Sequence, residues 1–325
     1  MLRIIHHNSD TFKNSITFSS DMKRVIIALT ALLLILSACN GEDNTNTPVS
    51  DTVFVGGSQG IVAEFEPFGV EENGVFTVFD TESFPIEVTL NNEGEDDVNP
   101  GDITVTLKGI NTNDFNGIPS SELKNTETLE KVAEFNPEGD EEIVDFTPDQ
   151  DAKYKLNVTG FFQPDIYAQV DYNYTTYIVI PAVCYKEDPR DDSVCDVQGS
   201  KTFAVSSAPI TVSSVKQDIA GRGIIVLTIT VDNVGAGRVA LPSEDFNPSY
   251  GKVLVTMETD ASEWECRSSG NPNEARLADG KAVITCKLRQ PLTEDTLFTK
   301  QVDLRLDYRY RSIIQQAIRI RESTD

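Results

Sequence analysis

The chain has 325 residues, 27 Lys+Arg against 52 Asp+Glu for a formal charge of −25, and a hydrophobic share of 39%. That is too apolar for a disordered chain, and the length suits two globular units. The charge would repel nucleic acid and anionic lipid, which excludes nucleic-acid readers and basic peripheral membrane binders.

In chain order, residues 1–21 add nothing to the pattern that follows and read as an over-extended start. Met22 precedes the cationic pair Lys23-Arg24, and Val25 to Ser37 is almost wholly apolar. That stretch is short for a membrane span but has the length of a signal-peptide core. It closes in Leu36-Ser37-Ala38-Cys39, which resembles the lipobox of prokaryotic lipoproteins. The resemblance implies that the Cys39 sulfur is alkylated by a diacylglyceryl group and that cleavage leaves Cys39 as the new N-terminus. On this reading 22–38 is a lipoprotein signal peptide, and 39–59 is the lipidated cysteine followed by a polar linker. The protein is then extracytoplasmic, held to the membrane by lipid.

Gly56-Gly57-Ser58-Gln59-Gly60 formally fits G-x-S-x-G. A nucleophile elbow needs a strand-turn-helix setting and a His partner. His6 and His7 are the only histidines, so the segment reads as a flexible lead into the first domain. From there on the pattern is of short alternating strands between Gly, Pro, Asn and Asp turns. Ser121 to Ala133 is the one candidate for a short helix.

An internal duplication organises these strands. Phe84, Ile86, Val88 and Leu90 alternate into Asn92-Glu93-Gly94, as Ile225, Leu227, Ile229 and Val231 alternate into Asn233-Val234-Gly235. Ile103, Val105 and Leu107 follow in one copy and Val253, Val255 and Met257 in the other. Near the end of each copy lies Asp-Tyr-x-Tyr, at Asp171 and at Asp307, 79 residues after Asn92 and 74 after Asn233. Ordered anchors at similar spacing mark a repeat. Strands with one apolar face must pack on another sheet, so the expected fold is all-β: two tandem Ig-like β-sandwiches, an acidic one at 60–206 and a second at 207–325. The late tyrosines belong to the core, as does Trp264, two residues from Cys266 on one strand face. Asp279-Gly280 signals a type I′ turn.

Beyond Cys39, the four remaining cysteines allow three pairings. Cys184–Cys195 and Cys266–Cys286 are favoured, because each closes a short loop within one copy. The spacing lacks the C-x-x-C of a four-thiolate zinc site. The lipobox, the tandem Asn-x-Gly strands, Phe135-Asn136-Pro137-Glu138-Gly139, the Cys184/Cys195 loop and the Trp264 to Cys286 meander together resemble predicted surface lipoproteins of small-genome archaea. More loosely, they resemble the Ig-like adhesion modules of archaeal surface proteins. These motifs are structural, and the resemblance transfers no functional residue.

No catalytic residue, metal or cofactor is assigned. Without His after Met22, Ser-His-Asp and Cys-His chemistry are unavailable. Two acidic turns (Glu93, Glu95, Asp96, Asp97 and Asp188, Asp191, Asp192, Asp196) do not follow EF-hand spacing. Asn157 and Asn173 head N-x-Thr sequons on the polar faces of their strands and are candidate glycosylation sites. Residues 53–206 carry 8 Lys+Arg against 31 Asp+Glu (net −23), while 207–325 carry 15 against 16 (net −1). Arg305, Arg309, Arg311, Arg319 and Arg321 form a cationic ladder. It serves either as edge protection or as a dock for a neighbouring acidic domain, an envelope protein or an acidic surface polysaccharide. The expected function is a non-catalytic binding or envelope-structural role. The alternatives are a pilin-like or sheath-like assembly subunit and a glycan-acting enzyme using a carboxylate pair.

Overall fold

The computed structural model describes residues 54–190, 194–269 and 271–324. The lipobox and the signal sequence lie outside them, as do Asp191 and Asp192. The fold is all-β, with several sheets around one continuous core. Among the described residues no α-helix forms, and none is long and apolar enough to cross a membrane. The proposed helix at Ser121 to Ala133 is instead a short strand, Glu122–Lys124, followed by loop. It pairs with the strand at Thr104–Thr106, and that pairing overrides local helix preference.

Six strands carry the first copy: β1 (Ile61–Phe65), β2 (Glu87–Asn92), β3 (Ile103–Lys108), β4 (Glu122–Lys124), β5 (Glu141–Asp145) and β6 (Asp165–Lys186). Six carry the second: β7 (Ile210–Gly221), β8 (Ile224–Asn233), β9 (Gly251–Met257), β10 (Glu274–Leu277), β11 (Lys281–Leu288) and β12 (Leu297–Arg321). The duplication holds down to register. Ile61 faces Asn92 as Ile210 faces Asn233, and Val88 faces Val144 as Ile229 faces Ile284. Sheet β1-β2-β5 corresponds to β7-β8-β11, and the large sheet runs β4-β3-β6-β12-β9-β10, the same sequence of elements read from either end. Its centre is the pair Asn173–Arg309, flanked by Tyr172–Tyr310 and Tyr174–Tyr308. The copies are thus related by a pseudo-twofold axis through the β6–β12 ribbon.

The two long strands interlock the copies. Tyr167 to Tyr172 of β6 pair with β3 in the first copy, but its later half runs into the second. There Thr176 donates to the Ile210 carbonyl, Cys184 is clasped by Gln217 through both backbone groups, and Tyr185 meets Trp264 edge-on. In return, β12 pairs with β9 and then enters the first copy, where Ala317–Arg321 lie parallel to Val75–Phe79. Ile318 and Ile320 are buried there, each contributing roughly 1.5–3 kcal/mol. The sequence boundary at Ser206/Ser207 separates the copies along the chain, and the long strands cross it in space.

Local expectations of the sequence are met at several points. Tyr172, Tyr174, Tyr308, Tyr310 and Trp264 are buried in the core. Asp279 and Gly280 both have positive φ, as a type I′ turn requires. The turn delivers the chain from the large sheet to the β7-β8-β11 sheet, so only Ala278 and Lys281 bridge across it. Both disulfides form, Cys184–Cys195 and Cys266–Cys286.

Candidate binding cleft between the two copies

Each Asn-x-Gly turn is clamped by the second tyrosine of its own copy's Asp-Tyr-x-Tyr motif. Tyr174 donates to Asn92 Oδ1 (3.0 Å) and accepts from the Asp96 amide (3.3 Å), while the Asn92 amide donates to the Asp96 carbonyl (2.8 Å). Tyr310 repeats this with Asn233 Oδ1 (3.2 Å) and the Gly237 amide (2.7 Å), and the Asn233 amide meets the Gly237 carbonyl (3.0 Å). Glycine is required between, because a Cβ on Gly94 would lie 1.9 Å from the Tyr174 hydroxyl and one on Gly235 2.2 Å from that of Tyr310. The spaced motif in the sequence is therefore one hydrogen-bonded unit, and burial raises the pKa of both tyrosines.

The copies diverge just after this shared unit. Glu95 and Asp96 stand where the second copy has Ala236 and Gly237. Glu95 is buried and accepts backbone N–H from Val55 (2.7 Å), Gly56 (3.0 Å) and Ser207 (2.6 Å). It ties the incoming chain, including the start of the Gly-x-Ser-x-Gly segment, to the link between copies. Asp96 accepts from the Thr175 amide (2.8 Å) and the Tyr177 hydroxyl (3.1 Å). Burial pushes the Asp96 carboxyl up to about 6 against the pull of those two bonds. The Tyr177 phenol is pushed up to about 12 by burial and by the Asp96 charge.

Beside this group opens a cleft of about 830 Å³, within the range of small-molecule sites. Tyr177, Val179, Gln301 and Asp303 line it from neighbouring positions on β6 and β12. Phe54 and Val55 come from the incoming chain, Val132 to Glu134 from the first copy, and Glu258, just past β9, from the second. Phe135, almost fully exposed, tips the tight turn next to Glu134.

The arginine ladder lies on the face opposite the buried tyrosines, and most of it is neutralised internally. Arg309 and Arg311 converge on Asp171 (2.9 and 2.6 Å) and lie over Phe246. Arg305 pairs with Asp307 (3.1 Å) and Glu258 (3.6 Å), and Arg319 with Glu72 (3.5 Å). Arg321 is exposed and has no ion pair among the described residues. Edge protection does not explain the ladder, because β12 has strand neighbours on both sides. The ladder's positive charge is spent mainly on carboxylates that this sheet already holds.

Asn173 is exposed at the centre of β6, and Asn157 is exposed in a loop rather than on a strand. In the first acidic turn Glu95 and Asp96 point at the partners given above, and Asp97 meets Lys131 (3.7 Å). Among the described residues no group of acidic, His or Cys side chains is arranged to hold a metal. The cleft residues Asp303 and Glu258 escaped the sequence reading, since they are distant in the chain from Glu95 and Tyr177. A position-by-position comparison of the copies, Glu95-Asp96 against Ala236-Gly237, carries the available signal. Compared with known proteins, the chain matches no family model, no curated protein and no solved structure.

Proposed function

We propose that this chain is a lipid-anchored extracytoplasmic protein whose paired Ig-like β-sandwiches serve a non-catalytic binding or envelope-structural role. The observation that carries the reading is Leu36-Ser37-Ala38-Cys39, placed directly after a cationic step and an apolar core. A diacylglyceryl group supplies two acyl chains, the number that stable anchoring takes. The two disulfides support the same address, because such bonds persist in oxidising compartments. The Ig-like reading draws on the smaller sheet that each copy sets against its share of the large sheet, three-stranded in the first copy and five-stranded in the second, with β7-β8-β11 at its middle. The binding reading draws on the cleft, a concave and largely apolar site with a few polar groups converging on it.

Processing tests the anchor. The mature protein extracted from membranes should begin at Cys39 and carry the mass of its acyl groups, and Cys39→Ser should release it into the soluble fraction. A Cys39→Ser chain that stays with the membrane would show the apolar segment acting as an uncleaved anchor, and the lipoprotein reading would be lost.

A further inference from the structure

We infer that the cleft between the copies takes an organic cation with an apolar body, such as an alkylammonium group. The inference rests on the binding reading above and is independent of the lipid anchor. Val55, Val132, Ala133, Val179 and Leu304 give the cleft an apolar lining large enough for a short alkyl chain. Its charge is one-sided. Glu95, Glu134, Glu258 and Asp303 line it against the single cation Lys131, which Asp97 already engages at 3.7 Å.

The availability of these carboxylates differs. Glu95 is consumed by its three backbone donors, and Glu258 is shared with Arg305. Among the described residues the Asp303 carboxylate is met by neutral groups only, the Gln301 amide at 2.9 Å and the Thr259 hydroxyl at 3.4 Å. Glu134 is exposed and has no ion pair among the described residues. Asp303 and Glu134 therefore offer negative charge to a ligand, beside the Tyr177 ring, whose face also favours a cation.

The second copy provides an internal control. By the register of the duplication, Glu95, Tyr177, Glu258 and Asp303 correspond to Ala236, Ile313, Lys108 and Tyr167. The same scaffold thus folds without acids at those places, so the fold does not demand them. The polar tether is a poor occupant: from Asn40 to Val53 it carries Glu42, Asp43 and Asp51 and no Lys or Arg.

Calorimetric titration of residues 47–325, the compact unit, with octylammonium, octanol, octanoate and ethylammonium tests the inference. Octylammonium should bind at one site, octanol about tenfold more weakly, and octanoate and ethylammonium not detectably. Glu134→Gln and Asp303→Asn should each weaken octylammonium several-fold and leave octanol unchanged, and Val179→Arg should abolish binding of both. Glu134 lies on an exposed turn, so its variant reads the charge effect even if Asp303→Asn disturbs folding. Octanoate binding as tightly as octylammonium, or octylammonium binding indifferent to Glu134→Gln and Val179→Arg, would overturn the inference. Either result would leave the surface role to be decided by the Cys39 experiment.

Discussion

At the Asn-x-Gly turn of the first copy the next two residues are Glu95 and Asp96, and at the same turn of the second they are Ala236 and Gly237. Both turns are built by the same asparagine, glycine and tyrosine with nearly the same bonds. What the copies share is thus the clamp that holds a turn against a long strand, and what they do not share is charge. In the first copy the acids fasten the incoming chain and back an acidic cleft. In the second the corresponding edge of β12 is covered by backbone pairing at Arg238–Ala240. A duplicated scaffold keeps what its core requires and is free to change the chemistry at its rim.

The comparison breaks most completely if the copies can live apart. Residues 54–206 lack the β12 half that fills the first copy, and 207–325 lack the β6 half that fills the second. Each fragment alone should fail to unfold cooperatively in denaturant, and mixing the two should restore the transition. Truncation after Arg311 should by itself remove the burial of Ile318 and Ile320 and cost at least about 3 kcal/mol. A cooperative transition from either isolated fragment would show that the interlocking is dispensable.

The acidic turn offers a smaller and more selective effect. The Asp96 carboxyl titrates near 6 in the folded chain and near 3.8 when exposed, so the folded state holds its proton more tightly. The associated stability is fully present below about pH 4 and is lost as pH rises through 6, by at most about 3 kcal/mol. Asp96→Asn should flatten that part of the pH–stability profile and raise stability at pH 7 and above. Thermal unfolding of both proteins between pH 4 and 8 would check it, and an unchanged slope would show that Asp96 ionises freely. No equivalent exists in the second copy, where Gly237 has no side chain.

The clamps should give the smallest difference of all. Tyr174→Phe and Tyr310→Phe each leave a backbone amide without its acceptor and an asparagine oxygen with one donor fewer, Asn92 Oδ1 keeping the Gly94 amide at 3.3 Å, a loss of about 1–2 kcal/mol apiece. Because the geometry is repeated, the two variants should lose similar amounts in denaturant titration. A marked inequality would mean that the two turns, alike in bonds, are not alike in burden.

Sequence alone determined a good deal here. Alternation of Ile, Val and Leu set the strands, and the Asn-x-Gly and Asp-Tyr-x-Tyr spacing revealed the duplication, because each copy must supply both halves of its own clamp. Cys184–Cys195 and Cys266–Cys286 followed from short loop closure, and Asp279-Gly280 from the need for positive φ. Arg305, Arg309 and Arg311 stand at odd positions and Tyr308 and Tyr310 at even ones, so strand alternation alone sets these arginines on the face opposite the tyrosines. Their partners could not be read, because Asp171 lies 140 residues from Arg311 and meets it only through the β6–β12 register. Tertiary structure alone decided that the long strands trade places between copies, for nothing in a strand's own pattern says which sheet will bury its second half. It also decided the cleft, which gathers Phe54, Glu134, Tyr177, Glu258 and Asp303 from segments that become neighbours only once both copies have closed around the central ribbon.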